Sequence, residues 1–458
     1  MILSKVFERF VSKTPISVAA RVAMEYAMAP DALNSLFDEH ADQQYTRELL
    51  FSSVVDLMGM VVAKIEPSVH AAYEEVAESL PVTLTAVYDK VNGIEPQVTG
   101  ALVRHAAQRL GAVVAAMKGQ ATELLPGYRV RILDGNHLAA TQRRLKVLRR
   151  SKAGPLPGHA LVVLDPALML ATDMIPCEDG HAQERSLSPQ ILELVTARDV
   201  WIADRNFCTS ILLAGIAKRD AYFVIRQHAN LPLEFSGQLR SCGQTDTGEL
   251  FEQSVSIDVG EGRRMTLRRV VLRLDKPTRD GDAEIAILTN LPKRIADSVK
   301  VAELYRDRWT LETLFQSLTA TLDGELNALG YPRAALLGFA VALVAYNISS
   351  TVQASLRAQF GADKIQEEVS GFYIANEIRK NHFGMSIALE DSEWVPFHTM
   401  TPTAVAKVML RCVAHANLKK YRRHPRGPKK PVPKRTRYAD KTHVSTARLL
   451  AQSRKKSP

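Results

Sequence analysis

The chain has 458 residues, 46% of them hydrophobic and 24% charged. That composition excludes a disordered chain, and the length asks for two or three domains. No run of eighteen apolar residues occurs, and the opening "MILSKVFERFVSK" carries Glu8 and lacks the long apolar core of a secretory leader, so no membrane span or signal is read and a bacterial cytoplasmic location is the default. Cys177, Cys208, Cys242 and Cys412 stand far apart without zinc spacing, as free thiols in a reducing compartment. The net charge of +10 is unevenly placed: from Leu418 onward 15 Lys/Arg face one acid, Asp440, while the rest of the chain is net −4.

Residues 1–125 read as helices throughout, a compact N-terminal domain. Apolar residues at helical period fill "TRELLFSSVVDLMGMVVAKI", "SVHAAYEEVAESL" follows, and "NGIEP" separates two further helices. That pair is either a helix-turn-helix reader of DNA, with "QVTGALVRHAAQRL" inserted, or a plain helical hairpin.

From 126 to 228 the texture is α/β. "YRVRILDG" is a β-branched run ending in Asp134, "HALVVLD" and "ALMLATDMI" are two more strands, and "SPQILELVTA" is a helix. "VWIAD" is a buried strand ending in Asp204, "CTSILLAGIAKRD" a helix and "AYFVIRQ" a strand. Reactive groups in such sheets sit where strands end, and two strands deliver an aspartate there, each followed by turn chemistry, "DGNH" and "DRNF". The competing reading of a strand-end aspartate is a helix cap. In the polar loop "CEDGHAQER", Glu178, Asp179 and Glu184 read as solvated or DNA-facing, and Asp165 before Pro166 as part of a turn. Residues 229–298 alternate between Gly-rich turns and strands, an inserted antiparallel β-subdomain.

Residues 299–358 return to helices. In "LYRDRWTLETLFQSLTATL", Leu304, Leu311, Phe315, Leu318 and Leu322 form one apolar stripe of a single helix. Tyr305, Arg308 and Glu312 follow one another at +3 and +4 beside it. Taken alone, Arg308 and Glu312 are a surface ion pair. "ALLGFAVALVAYNISSTVQASL" is an apolar helix, buried or at a subunit contact, and 359–417 form a closing helical region. The tail, 418–458, is rich in Pro and poor in large apolar residues, so it should lie extended. With Tyr and His among its basic residues it is either a phosphate-binding arm, led by Lys419, Lys420, Arg422 and Arg423, or a solubilising segment.

The order strand-Asp, strand-Asp, β-insertion, helix-Glu resembles the DDE transposases of bacterial insertion sequences, in particular the insertion-sequence-four family. Its signature, Tyr, two residues, Arg, three residues, Glu, six residues, Lys, is matched at Tyr305, Arg308 and Glu312. Asp204 in "ADRNF" and Asp134 in "LDGNHL" match the family's two aspartates. The position of the signature lysine holds Thr319, so a phosphate contact of the family is missing or supplied otherwise. The resemblance covers roughly residues 45–430. It implies a ribonuclease H-like catalytic core, divided by the β-insertion, behind an all-helical N-terminal domain and before the basic tail.

Residue chemistry fits that expectation. Two magnesium ions about 4 Å apart, or manganese in their place, activate the attacking oxygen and neutralise the leaving one, and hard ions take carboxylate oxygens. Asp134, Asp204 and Glu312 are the expected metal-holding and catalytic acids. Tyr305 and Arg308 are the expected phosphate contacts beside them, and Arg205 and Asn206 further DNA contacts. The implied partners are transposon ends and target DNA, with a homodimer to pair two ends. Two other classes stay open: a regulatory, transposase-derived DNA-binding protein without turnover, and a structure-specific nuclease.

Overall fold

A computed structural model of the chain describes all residues except 1–3, 47, 139–144, 150–152, 279–280, 325, 327–328, 425–441 and 457–458. Seven helices come first: α1 (Lys5–Lys13), α2 (Pro15–Ala27), α3 (Pro30–His40), α4 (Phe51–Val62), α5 (Val69–Val76), α6 (Leu84–Gly93) and α7 (Pro96–Met117). Proline opens α2, α3 and α7, where its missing N–H costs nothing, and Ser4, Ser68 and Thr83 cap α1, α5 and α6.

The strands follow: β1 (Arg129–Leu138), β2 (Gly154–Leu156), β3 (Gly158–Asp165) and β4 (Leu170–Cys177), then β5 (Asp199–Ala203) and β6 (Tyr222–Arg226). Helices α8 (Ser188–Leu194) and α9 (Ser210–Ala217) come before and after β5. The insertion supplies β7 (Glu234–Thr245), β8 (Gly248–Asp258), β9 (Arg264–Leu274) and β10 (Glu284–Thr289). The result is a mixed α/β fold whose large, mostly antiparallel sheet runs β4-β3-β1-β5-β6-β10-β9-β8-β7. Within it β1, β5 and β6 are parallel neighbours, while β3 and β4 are antiparallel. The insertion is not a separate sheet, because β10 pairs antiparallel with β6 and carries the core sheet outward without a break.

Strand alternation decides what each face buries. Ile132, Val162, Val200, Ile202 and Val224 join one core cluster with α7 and the later helices α10 (Ser298–Arg306), α11 (Trp309–Ala320) and α12 (Pro332–Phe360). Leu133, Leu161, Trp201, Phe223 and Ile225 face the other way, onto Ile191 of α8 and Leu212, Leu213 and Ile216 of α9. Helix α12 is long and apolar enough to cross a bilayer, yet most of it is buried against α7, β4 and α4, as a core helix.

Four expectations change. The first 125 residues are not an independent domain: α7 packs on β4 and α12, and α2 packs on α14 (Gly371–Ala388), α15 (Val395–His398) and α16 (Pro402–Val413), which follow α13 (Ala362–Glu368). Because Val98, Leu102, Val103, Ala106 and Leu110 of α7 are buried in that packing, α7 is a core helix and not an inserted reading helix, and α6 packs on α12 and α4 rather than back along α7, so the pair around "NGIEP" is not a packed hairpin either. The stretch 304–322 is not one helix. It breaks at Asp307 and Arg308, where α10 ends and α11 begins.

The tail is not extended to its end. Tyr421 is buried, its hydroxyl donating to Glu377 Oε2 at 2.5 Å. Farther on, β11 (His443–Ser445) pairs parallel with β2, and α17 (Thr446–Lys456) follows. Arg448 holds Asp179 at 2.7 Å, and Leu449 and Leu450 are half-buried, so even this polar segment has apolar and ionic anchors. The basic residues between 425 and 441 lie outside the described residues.

Candidate active site

Register brings the two aspartates together. Leu133 on β1 pairs with Ala203 on β5, and Ala203 with Ile225 on β6, so the next step along three parallel strands sets Asp134, Asp204 and Arg226 side by side. Alternation points these side chains to the face that carries α11. "DGNH" is not a turn, since β1 runs on through Leu138. After Asp204 the chain does turn, into a short 3-10 segment Arg205–Phe207, whose first N–H donates to Asp204 Oδ1 at 2.6 Å.

Glu312 arrives on the first turn of α11, which Leu311, Leu314 and Leu318 anchor in the core. The break before α11 lets Arg308 turn inward. Its Nη1 donates to Asp134 Oδ2 at 2.9 Å and its Nη2 to Glu312 Oε1 at 2.7 Å. Tyr305, the penultimate residue of α10, is buried, with its ring centroid 6.0 Å from the guanidinium carbon. The expected row of Tyr305, Arg308 and Glu312 therefore meets as a cluster across a helix break.

The electrostatics follow from burial and charge. Burial pushes the Asp134 carboxyl up to about 6, against Arg308 and the Gly135 N–H, with Glu184 and Asp204 adding to the rise. Burial also raises the Tyr305 phenol. Burial works against the Arg308 charge, but Tyr305, Asp134 and Glu312 outweigh it and hold the guanidinium more firmly protonated. Arg308 Nε is buried without a hydrogen-bond partner among the described residues.

Three side chains were missed as members of this site. Glu184 lies against Gly135, and its Oε2 accepts from Asn206 Nδ2 at 3.2 Å. Arg226 closes β6 and donates to Asp282 Oδ2 at 2.7 Å, a contact contributed by the loop between β9 and β10. The charge of Asp204 also reaches Arg226. The signal that could have found Arg226 is a charged residue ending an apolar run, as in "ILD" and "WIAD". Nothing periodic marked Glu184 or Asp282.

Other expected residues fall in two groups. Arg205 and Asn206 are exposed beside Asp204, on the wall of a cavity of about 670 Å³ that His137, Glu184, Arg185 and His228 also line. Lys419, Lys420, Arg422 and Arg423 are exposed too, but on a turn packed against α14 and α13, in the core cluster of the C-terminal helices and not the one under the acids.

Asp134, Asp204 and Glu312 offer carboxylate oxygens, the donor type that a hard divalent cation takes. Their present spacing is set by Arg308, which bridges Asp134 and Glu312, and among the described residues no three acidic, histidine or cysteine side chains converge as a cation site. Asp134, Asp204 and Glu312 are the residues that would hold such an ion.

Two comparisons bear on this geometry. Over 116 residues, 25% of the chain, the sequence is 31% identical to "Putative transposase y4zB" of Sinorhizobium fredii, and the match spans 32% of that relative's length. Residues 125–348 match the family model of the Transposase DDE domain, a span that holds Asp134, Asp204, Tyr305, Arg308 and Glu312 together.

Proposed function

We propose that the chain is a transposase of the insertion-sequence-four type, in which Asp134, Asp204 and Glu312 carry metal-dependent cleavage of DNA at transposon ends and strand transfer into target DNA. The observation that carries this reading is the alignment of Asp134 and Asp204 on neighbouring parallel strands, each one residue past the last β1–β5 pair, with Arg308 tying Glu312 to Asp134. The order β4-β3-β1-β5-β6, with β3 antiparallel, supports a ribonuclease H-like core. The match to the Transposase DDE domain supports DNA as the substrate.

The chemistry supplied by two magnesium ions bound at these acids is activation of the attacking oxygen and neutralisation of the leaving one. The chain's own residues orient the DNA. Tyr305 and Arg308 hold a phosphate next to the reacting one, the Arg308 Nε being a buried donor with hydrogen-bonding capacity to give. Arg226, level with Asp204, adds positive charge beside the acids in a chain that has Thr319 at the position of the signature lysine. Arg205 and Asn206 contact DNA beyond Asp204. Attack by water on the scissile phosphorus breaks the P–O3′ bond, the departing oxygen takes a proton, and the freed 3′-hydroxyl becomes the next nucleophile. The protein works as a homodimer on paired ends, on bacterial nucleoid DNA in the cytoplasm.

The test is cleavage of a labelled duplex carrying the DNA that flanks this gene, with magnesium, by the intact protein and by Asp204→Asn. Cutting at an inverted-repeat end that vanishes in the variant is the expected result. A folded wild-type protein that binds the duplex without cutting would replace this reading with the regulatory one.

A further inference from the structure

We propose that Asp282, on the hairpin between β9 and β10, is a positioning residue for the reaction, holding the guanidinium of Arg226 in place beside Asp204. The inference rests on the functional reading above and gives the β-insertion a part in it. Arg226 ends β6 one residue beyond the Ala203–Ile225 pair, which sets it level with Asp204. Among the described residues Nη2 is the one atom of its guanidinium with a hydrogen-bond partner, Asp282 Oδ2 at 2.7 Å. Nε and Nη1 remain as donors for a phosphate oxygen. The hairpin closes on itself around Asp282. The Thr278 N–H donates to the Asp282 carbonyl oxygen at 2.9 Å, the Asp282 N–H to Thr278 Oγ1 at 3.1 Å, and the Gly281 N–H to the Thr278 carbonyl oxygen at 2.9 Å. Gly281 makes that closure with a φ of 88°, in the left-handed region that favours glycine.

The sheet is joined at this point without the side-chain contact, because β10 pairs with β6 through the backbone at Val224, Ile225 and Arg226. A partly exposed ion pair adds little stability of its own. What the contact supplies is order. A long side chain loses rotamer freedom when it grips a phosphate, and a tie made beforehand takes part of that loss before DNA arrives. Arg226 holds the Asp282 carboxyl below the usual carboxylate range, and the charge of Arg205 adds to the effect, so one carboxylate answers to two of the cations placed beside Asp204.

The test compares the full chain with Asp282→Ala, Asp282→Glu, Arg226→Ala and the double variant of Asp282→Ala with Arg226→Ala, on the labelled end duplex with magnesium, with Asp204→Asn as reference. Asp282→Ala is expected to melt at the wild-type temperature and to bind the duplex within about twofold of wild type, since it removes no cation that meets DNA. It is expected to cut saturating duplex about tenfold or more slowly. Asp282→Glu restores a carboxylate and should recover part of the rate. In the Arg226→Ala background the loss of Asp282 should change nothing further, because it acts through that guanidinium. An unaltered rate in Asp282→Ala, or additive losses in the double variant, would overturn the role of Asp282, and the functional reading would stand as long as Asp204→Asn abolishes cutting. A folded wild-type protein that does not cut would overturn both.

Discussion

Arg308 and Asp134 are 174 positions apart, yet Nη1 of one donates to Oδ2 of the other at 2.9 Å, with both side chains mostly buried. The same guanidinium holds Glu312, so one residue sets the distance between a strand-borne acid and a helix-borne one. Arg308→Ala should leave two carboxylates without their shared counter-charge and destabilise the fold by about 1–3 kcal/mol at pH 7. It should also abolish cleavage. Arg308→Lys should recover part of the stability but little of the cleavage, because an ammonium cannot span both acids as a planar fork does. Urea unfolding and end cleavage check this, and full activity in the lysine variant would refute it.

The raised carboxyl of Asp134 gives the stability a pH dependence. Its pKa rises from 3.8 to about 6 on folding, so the stability it contributes is fully present below pH 3.8 and is lost as pH rises through 6. Asp134→Asn has no such loss. The variant should therefore gain stability relative to wild type between about pH 4 and pH 6 and hold that gain at higher pH. Parallel unfolding profiles for the two proteins from pH 4 to 8, without added cation, would contradict the assignment.

Asp204→Asn and Glu312→Gln should each reduce strand cleavage to background while affinity for an end duplex stays within about twofold, if, as proposed, these acids hold cations and not DNA. A variant that still cuts would remove its residue from the acidic set.

The exposed basic turn predicts a salt effect. Replacing Lys419, Lys420, Arg422 and Arg423 together by Ala should flatten the dependence of DNA affinity on salt by about 0.9 in log–log slope for each phosphate that is no longer neutralised. Their side chains project from a turn whose buried anchor is Tyr421, so stability should change little. An unchanged slope would make this turn a solubilising element.

Removing residues 442–458 is a separate experiment, because that segment is docked. Loss of β11 against β2, and of Arg448 from Asp179, should lower the melting temperature. A melting curve identical to that of the intact chain would show that the docking contributes no stability.

How far this could be read beforehand depends on the kind of signal. Asp134 and Asp204 were legible because each ends a short apolar β-branched run, and strands of that kind neighbour one another in α/β sheets. The register that also levels Arg226 with them is a tertiary fact, invisible until β6 is known to lie parallel to β5. Glu312 was legible from its spacing to Arg308, although the break at Asp307 and Arg308 was not, since the apolar stripe continues through it. Glu184 looked like loop because "CEDGHAQER" is polar and aperiodic, and only Gly135 hints that something must approach β1 there. The insertion was read as strands, but not as a continuation of the core sheet, because hydrogen bonds at a strand edge leave no periodic mark.

The burial of α12 has a consequence for synthesis. Its 29 residues, Pro332–Phe360, cover apolar surface of α4, α7 and β4, all of which leave the ribosome much earlier. Helix α2 waits longer still, for α16 at Pro402–Val413. A nascent chain shorter than about 360 residues therefore carries an uncovered hydrophobic layer. That layer is covered only once α12, and then α16, has been synthesised.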